Sequence, residues 1–337
     1  MAKKKPHTKV RPLTASDLQQ VVKIDTRITG HPRPGFFEKR LAAAITEPEN
    51  FIYIGCEVDG SLKGHLLARL QEGEYGVSTS VAVMDAIGVD PDCMKEGIGR
   101  VMMEAFETIL RHKQVPEFQT QTEWNNLPLI RFLSAYGFKL APRQVLEREV
   151  SYMDTQMRTD PVKADLTAAG EKNYSDPSND DAAALARDRI TCRSLTAADV
   201  SALTRIDRKV TGQDHLKFYQ RKVQEVVNES GIRVSLAAEQ NGQVIGFIMA
   251  RVDFGEFGRT EPVAVLDSIA VDPGYRHSQV GSAMLSQLLA NLTSLRLEKI
   301  RTEVDADHFD VLNFLTKNGF KNSQRLAFSY QIKQERS

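Results

Sequence analysis

Shifted against itself by 182 residues (193 − 11), this chain of 337 residues keeps meeting its own sequence. "RPLTASD" from Arg11 falls on "RSLTAAD" from Arg193, and Ile24-Asp25 falls on Ile206-Asp207. "GEYG" at Gly73 meets "GEFG" at Gly255, "VAVMDAIGVDP" meets "VAVLDSIAVDP", and Gly137-Phe138-Lys139 meets Gly319-Phe320-Lys321. An offset that never slips marks a tandem duplication, so any fold for one half must serve for the other. The copies span 8–152 and 190–332. The stretch between them, 153–189, is polar and acidic with no sustained apolar period, and is expected to be a linker.

Within a copy, helix and strand signals are mixed. Thr14-x-x-Asp17 and Thr196-x-x-Asp199 resemble capping boxes and predict a helix after each. The apolar runs from Phe51 and Arg233 are broken by Asp59-Gly60 and Asn241-Gly242, dipeptides that tolerate the positive φ of a two-residue hairpin turn. Val81 to Val89 and Val263 to Val271 are β-branched and read as central strands, followed by helical spacing at Val101, Met102, Ala105, Phe106, Ile109 and Leu110. A last strand and helix end near the Gly-Phe pair. The expected class is therefore α/β, with a mixed α+β sheet in each of two tandem domains.

Composition excludes several functions. Lys and Arg total 44, as do Asp and Glu, so the net charge is zero and nothing favours nucleic-acid binding. The local exception, Lys3, Lys4, Lys5, Lys9 and Arg11, is either a solvated, disordered tail or a contact for a polyanion or partner. No apolar run approaches a membrane span. Cys56, Cys93 and Cys192 have neither metal-ligand spacing nor an even count, which fits a reducing, cytoplasmic setting, and the seven histidines show no ligand pairing, so no metal is expected. A homodimer is one assembly left open.

The chemistry is expected at the junction of strand, loop and helix. Each copy continues its central strand into a loop, "VDPDCMKEGIGR" or "VDPGYRHSQVGS", that enters a helix. Glycines there let backbone amides approach a ligand closely, and the helix N-terminus favours an anion such as phosphate. With the hairpin before it and the Gly-Phe pair after it, this arrangement resembles the GNAT superfamily of acyl-CoA-dependent N-acetyltransferases over nearly the whole of both copies.

The resemblance implies a tandem GNAT fold and acetyl-CoA as co-substrate. The strand residues Ile87, Gly88 and Val89 would face the pantetheine arm, and the amides of Met94, Lys95, Glu96, Gly97, Ile98 and Gly99 would take the pyrophosphate with Arg100 nearby. Asn126 would border the same site. In the second copy Ile269, Val271, Arg276 and Gly281 are the counterparts. Met94 stands where the family carries Arg or Gln, whereas the second copy keeps Arg276 but has Gln279 in place of the first glycine. A side chain at that position should hinder phosphate approach, so the first copy is expected to bind CoA and the second to be mainly structural.

Transfer to an amine needs a proton acceptor. Asp85, in an apolar strand, is either a base tuned by burial or a structural acid, and Asp267 repeats it. Glu123 is the other catalytic candidate; with Trp124 and Asn126 it either borders the acceptor site or serves the turn and helix cap. Glu74 and Glu256 either attract a cationic amine or shape a hairpin. The tyrosine that protonates the leaving thiolate in many family members corresponds to Leu133 and Leu315 here. Two functions follow: an N-acetyltransferase acting on a primary amine of a protein or small molecule, or a non-catalytic acyl-CoA sensor or scaffold.

Overall fold

A computed structural model describes residues 8–71, 80–150, 189–224, 232–253, 255–259 and 261–332. The first copy begins with β1 (Thr8–Pro12), α1 (Leu18–Thr29), α2 (Pro34–Thr46), β2 (Phe51–Val58), β3 (Ser61–Gln71) and β4 (Val81–Val89). It continues with α3 (Ile98–His112), β5 (Glu117–Glu123), α4 (Leu127–Tyr136), β6 (Lys139–Leu140) and β7 (Arg143–Glu149). The second repeats the series as β8 (Thr191–Ser194), α5 (Val200–Thr211), α6 (Leu216–Gln224), β9 (Leu236–Gln240), β10 (Gln243–Asp253) and β11 (Val263–Val271). Then come α7 (Val280–Ser294), β12 (Lys299–Asp305), α8 (Phe309–Lys317), β13 (Lys321–Asn322) and β14 (Arg325–Gln331).

The local signals work as their chemistry requires. Asp59 and Gly60 have φ of 48° and 82°, and Asn241 and Gly242 have 53° and 76°, the paired left-handed residues of a tight hairpin turn. Asp17 accepts from the Thr14 amide at 2.8 Å and Asp199 from the Thr196 amide at 2.8 Å, closing both helix entries. The basic start is not wholly a free tail: Lys9 and Arg11 lie in β1, and Arg11 pairs with Asp17 at 2.8 Å and Glu57 at 2.6 Å. Residues 1–7, Gly73 to Gly76 with Glu74, and nearly all of the expected linker lie outside the described residues.

Each domain is built on a seven-stranded mixed sheet, in the orders β1-β2-β3-β4-β5-β14-β6 and β13-β7-β12-β11-β10-β9-β8. The sheets do not follow the copies. β14 pairs along its length with β5, and β7 pairs with β12, so each copy lends its last long strand to the other's sheet. The duplication explains why this is allowed: β7 and β14 are equivalent at the 182-residue offset and fit the same slot, as in a domain swap carried out within one chain. Apolar packing holds the exchange, since Phe328 and Ile332 join the first core around Met102, Phe106, Phe118 and Leu133, while Leu146 and Val150 join the second around Met284 and Leu288.

Candidate active site

The site begins as a defect in the sheet. Along β3 and β4, Leu67 faces Ala86 and Ala68 faces Met84, which leaves Asp85 as an unpaired bulge residue. On the other side β4 pairs with β5 only from Val81 to Val83, after which the two parallel strands part. The Thr120 hydroxyl marks the divide by donating to the Met84 carbonyl at 2.9 Å. A bulge re-aims the strand and a splay frees one of its edges, so Ile87, Gly88 and Val89 stay paired with β3 on one side and run along an opening on the other, where β5 has parted. The second copy repeats the device: Asp267 is the bulge, β11 pairs with β12 only at Ala264 and Val265, and Thr302 donates to Leu266 at 2.9 Å.

The loop after β4 is anchored at Asp90, which accepts from Lys63 at 3.1 Å and is also paired with Arg27. Burial alone would raise the Asp90 carboxyl; the Lys63 and Asp92-amide hydrogen bonds outweigh it and hold the group below the usual carboxylate range. After a 3-10 turn at Pro91–Cys93, Met94 is extended, Lys95 and Gly97 are left-handed at φ 69° and 86°, and α3 begins. The first helical hydrogen bond runs from the Val101 amide to Gly97 at 3.1 Å, so the amides of Ile98, Gly99 and Arg100 precede it and are available to an anion.

The second loop keeps this path despite its missing glycine. His277 and Gln279 have φ of 65° and 59°, matching Lys95 and Gly97. A Cβ added at Gly97 would meet no atom within 4 Å, so Gln279 fits sterically and bears only the left-handed penalty of roughly 1–2 kcal/mol. Gln279 therefore leaves the path of the loop backbone intact, and the difference from the first copy lies in the side chain beside the loop and in the Ser278 amide, which is engaged with Tyr275 at 3.3 Å. Gly99 and Gly281 serve packing instead, since an added Cβ would come within 3.1 Å of Phe132 or Phe314. Ile98 is a core side chain at 3% exposure, and Gly88 is required by the His65 ring, 2.5 Å from where its Cβ would stand. Arg100 is exposed and reaches Glu104 at 2.9 Å, and Arg276 is exposed on the second loop.

Beside the parted strands lies a cavity of about 800 Å³. The first copy contributes Asp25, Arg33, Asp85 to Ile87, Thr120 to Glu123, and Asn126; the second contributes Phe257 to Arg259, Pro262, and Ser323 to Arg325. Glu123 stands at its border with its side chain 50% exposed, and Oε1 accepts from Arg325 of the exchanged strand at 2.7 Å. Asn126 caps α4 by accepting from the Leu129 amide at 3.4 Å while its residue borders the cavity.

Asp85 borders the cavity too, but its carboxylate is enclosed. It lies 3.3 Å from Arg69 and 3.6 Å from Arg40. Burial pushes it up to about 6, against the opposing pull of those arginines. They belong to a larger buried cluster in which Glu256 meets Arg69 at 2.9 Å, Arg251 at 2.7 Å, Arg301 at 3.0 Å, and Arg40. Arg251 also approaches Asp267 at 3.3 Å, so the two bulge acids flank one ion cluster between the copies. Glu256 thus meets arginines rather than an open acceptor position, and it also begins the 3-10 turn after β10. Beside Gly88, His65 is fully buried, and burial lowers it to about 3, so it is a neutral ring at physiological pH.

Leu133 and Leu315 are core residues. Tyr136 donates to Glu107 at 2.8 Å, and burial together with that bond raises its pKa, so it is a packed side chain. Among the described residues Asp305, Asp307 and His308 bring potential metal donors within 4.8 Å of one another, but Asp305 is already paired with Arg143 at 2.5 Å. No described helix is long and apolar enough to cross a membrane.

Sequence reasoning missed the second copy's part in this cavity. Arg325 meets Glu123 only through the strand exchange, Arg259 reaches the same cavity from the segment after β10, and nothing in local spacing signals either. The Asp25–Arg33 pair, at 2.9 Å, did leave a trace in the repeated Ile-Asp.

A mixed sheet that parts at a bulge beside an amide-lined helix start, built twice in one chain, defines a tandem acyltransferase-type α/β architecture. The sequence profile of the acetyltransferase (GNAT) family matches residues 18–138 and 201–320, and the chain belongs to that family. No curated protein matches the sequence. Among solved structures, a tandem GNAT protein from the clavulanic acid biosynthesis pathway aligns at TM-score 0.61 and 12% identity, covering 98% of this chain and 100% of that one. A GCN5-related N-acetyltransferase from Sphaerobacter thermophilus aligns at 0.58 and 13%, covering 97% and 96%. A GCN5-related glucosamine N-acetyltransferase region of a fungal multi-domain β-N-acetylglucosaminidase aligns at 0.63 and 13%, covering 96% of this chain, which spans 38% of that protein. At such identities these likenesses show the fold.

Proposed function

We propose that the first copy transfers an acetyl group from acetyl-CoA to a primary amine. The observation that carries this reading is the parting of β4 from β5 beside the open amides of α3, directly on a cavity of about 800 Å³. Pantetheine would lie along Ile87 to Val89, and the pyrophosphate would take the amides between Met94 and Gly99. The acceptor enters the cavity, where Glu123 receives the ammonium proton. Loss of that proton frees the amine lone pair to attack the thioester carbonyl, and the C–S bond breaks to release CoA thiolate. A thiol of pKa near 8.5 leaves tolerably without an acid, which accommodates Leu133 in the place of the family's tyrosine. Asp85, enclosed among arginines, would hold the bulge and its charge rather than touch substrate. The second copy would contribute walls and the exchanged strand. The three cysteines are free thiols, in keeping with a cytoplasmic setting.

One feature favours the non-catalytic sensor instead: the acid most tuned toward neutral pH, Asp85, has its carboxylate turned to the ion cluster. Calorimetry and thiol release separate the two readings. Gly97→Asp and Gln279→Asp place the same carboxylate on each loop at open, left-handed positions, without the Phe132 clash that any side chain at Gly99 would cause. Gly97→Asp should weaken acetyl-CoA binding by about tenfold or more, as expected for a like charge set against phosphate, and Gln279→Asp should leave the tight site unchanged. The reverse pattern would move the site to the second copy. Binding with no thiol release from any amine would establish the sensor.

A further inference from the structure

The second copy places on the first copy's cavity a cation that has no counterion among the described residues. After β10 the chain passes through Glu256, locked in its arginine cluster, and Phe257, whose ring lies under Arg301 at 5.3 Å and Arg325 at 5.9 Å. Both of those guanidinium groups are engaged. Arg301 donates to Asp253 at 2.9 Å and Glu256 at 3.0 Å, while Arg325 donates to Glu123 at 2.7 Å and to the Phe257 carbonyl at 2.8 Å.

Arg259, on the cavity wall, differs. Among the described residues its Nε and Nη2 are buried and have no hydrogen-bond partner, and it forms no ion pair. Burial, followed by the charges of Arg301 and Arg325, draws it down to about 9, the direction expected of an uncompensated cation. The acids that act on it are committed elsewhere: Asp253 accepts from the Gly255 and Glu256 amides at 3.0 Å and from Arg301, and Glu147 accepts from Ser323 at 3.0 Å. A buried charge without a partner is costly, and a structure retains one where a ligand completes it. Nε–H and Nη2–H lie along one edge of the guanidinium plane and donate in parallel, the fork that matches the two oxygens of a carboxylate.

We propose that the acceptor is an amine that also carries a carboxylate, and that the Arg259 side chain of the second copy, whose Nε and Nη2 are enclosed in the acceptor-free structure, turns into the cavity to bind that carboxylate while Glu123 faces the amine. The inference rests on the cavity being the acceptor chamber. It sets a zwitterion between an acid and an unpaired cation, and it disfavours polyamines, whose extra charges would meet Arg259 and Arg325. The second copy becomes the source of acceptor specificity for the first, which gives the tandem arrangement a use beyond strand exchange.

The test pairs each acid with its neutral amide. Glycine, β-alanine, γ-aminobutyrate, L-glutamate and L-lysine, with their carboxamides, are titrated into the CoA-loaded full chain by calorimetry, and thiol release from acetyl-CoA is followed with the same set. At least one acid should be preferred over its amide by about 10- to 100-fold, the worth of a charged hydrogen-bonded pair. Arg259→Met should abolish that preference and leave acetyl-CoA affinity unchanged, and Arg259→Lys should keep part of it. The Met variant should melt no lower than the parent, because it loses an unpaired buried charge. Equal use of acids and amides by the parent, a preference that survives Arg259→Met, or no binding of any acid at millimolar concentration overturns the proposal. Arg259-dependent binding without thiol release would leave the carboxylate site standing and remove acetyl transfer.

Discussion

Glu256→Gln should destabilise the folded chain by about 3–5 kcal/mol, the usual consequence of removing one partner from a buried ion cluster. The substitution keeps the shape of the side chain, so the loss is one of charge and not of packing volume. Glu256 is fully buried and holds Arg69, Arg251 and Arg301 within 3.0 Å, with Arg40 beside it, and among the described residues no other acid pairs with all four. Arg40 and Arg69 belong to the first copy, Arg251 and Arg301 to the second, so the glutamate neutralises cations that the association of the copies has brought together. Urea titration followed by far-UV circular dichroism should show a lower midpoint with an unchanged slope. A change below about 1 kcal/mol would mean that the arginines find other partners.

The same cluster gives a pH signature with two signs. Burial alone would raise Glu256, but the four arginines hold it well below its usual 4.5; its stabilisation is therefore complete above that value and lost as pH falls through the folded pKa. Asp85 behaves oppositely. Burial raises it from 3.8 to about 6, so the native state binds its proton first and stability declines as pH rises through that interval. Glu256→Gln should flatten the acid limb, and Asp85→Asn should flatten the decline toward pH 6. Stability measured from pH 3 to 7 in the three proteins checks both.

How far the sequence reached depends on whether a feature is local. The hairpin turns at Asp59-Gly60 and Asn241-Gly242, the caps at Asp17 and Asp199, and the central strand from Val81 need only neighbouring residues, and they stand as read. α2 was not anticipated: Pro34 at its start is a helix signal, but the stretch that follows has a weak apolar stripe. The strand exchange could not be read at all. β7 and β14 are equivalent in the two copies, so either sheet offers the same slot to both. Arg259 was invisible for the same reason, because its setting combines a segment of the second copy with the exchanged strand and the first copy's Glu123. Gln279 shows a lost glycine that leaves the backbone path unchanged. A lost glycine reads as a lost loop only where the added side chain would clash, and at this exposed left-handed position it does not.

Glu123→Gln should lower kcat by about 10²-fold or more, within the range that general-base catalysis contributes. The amide retains an oxygen that can accept from Arg325, now at 2.7 Å from the carboxylate, so the exchanged strand stays in place and only the proton acceptor is lost. KM for acetyl-CoA should not move, since the loop amides and Ile87 to Val89 are untouched. The variant's rate should climb with pH as the free amine becomes available from solution, approaching the parent only near the ordinary amine pKa of about 10. Asp85→Asn provides the contrast. Were Asp85 the base, its loss would abolish turnover, and the acid limb of the parent's kcat/KM profile would fall near 6, where burial places that group. Enclosed between Arg69 and Arg40, it should instead change stability and leave turnover within a few-fold. A collapse of kcat in Asp85→Asn with near-normal turnover in Glu123→Gln would reverse the assignment and require the ion cluster to open during catalysis.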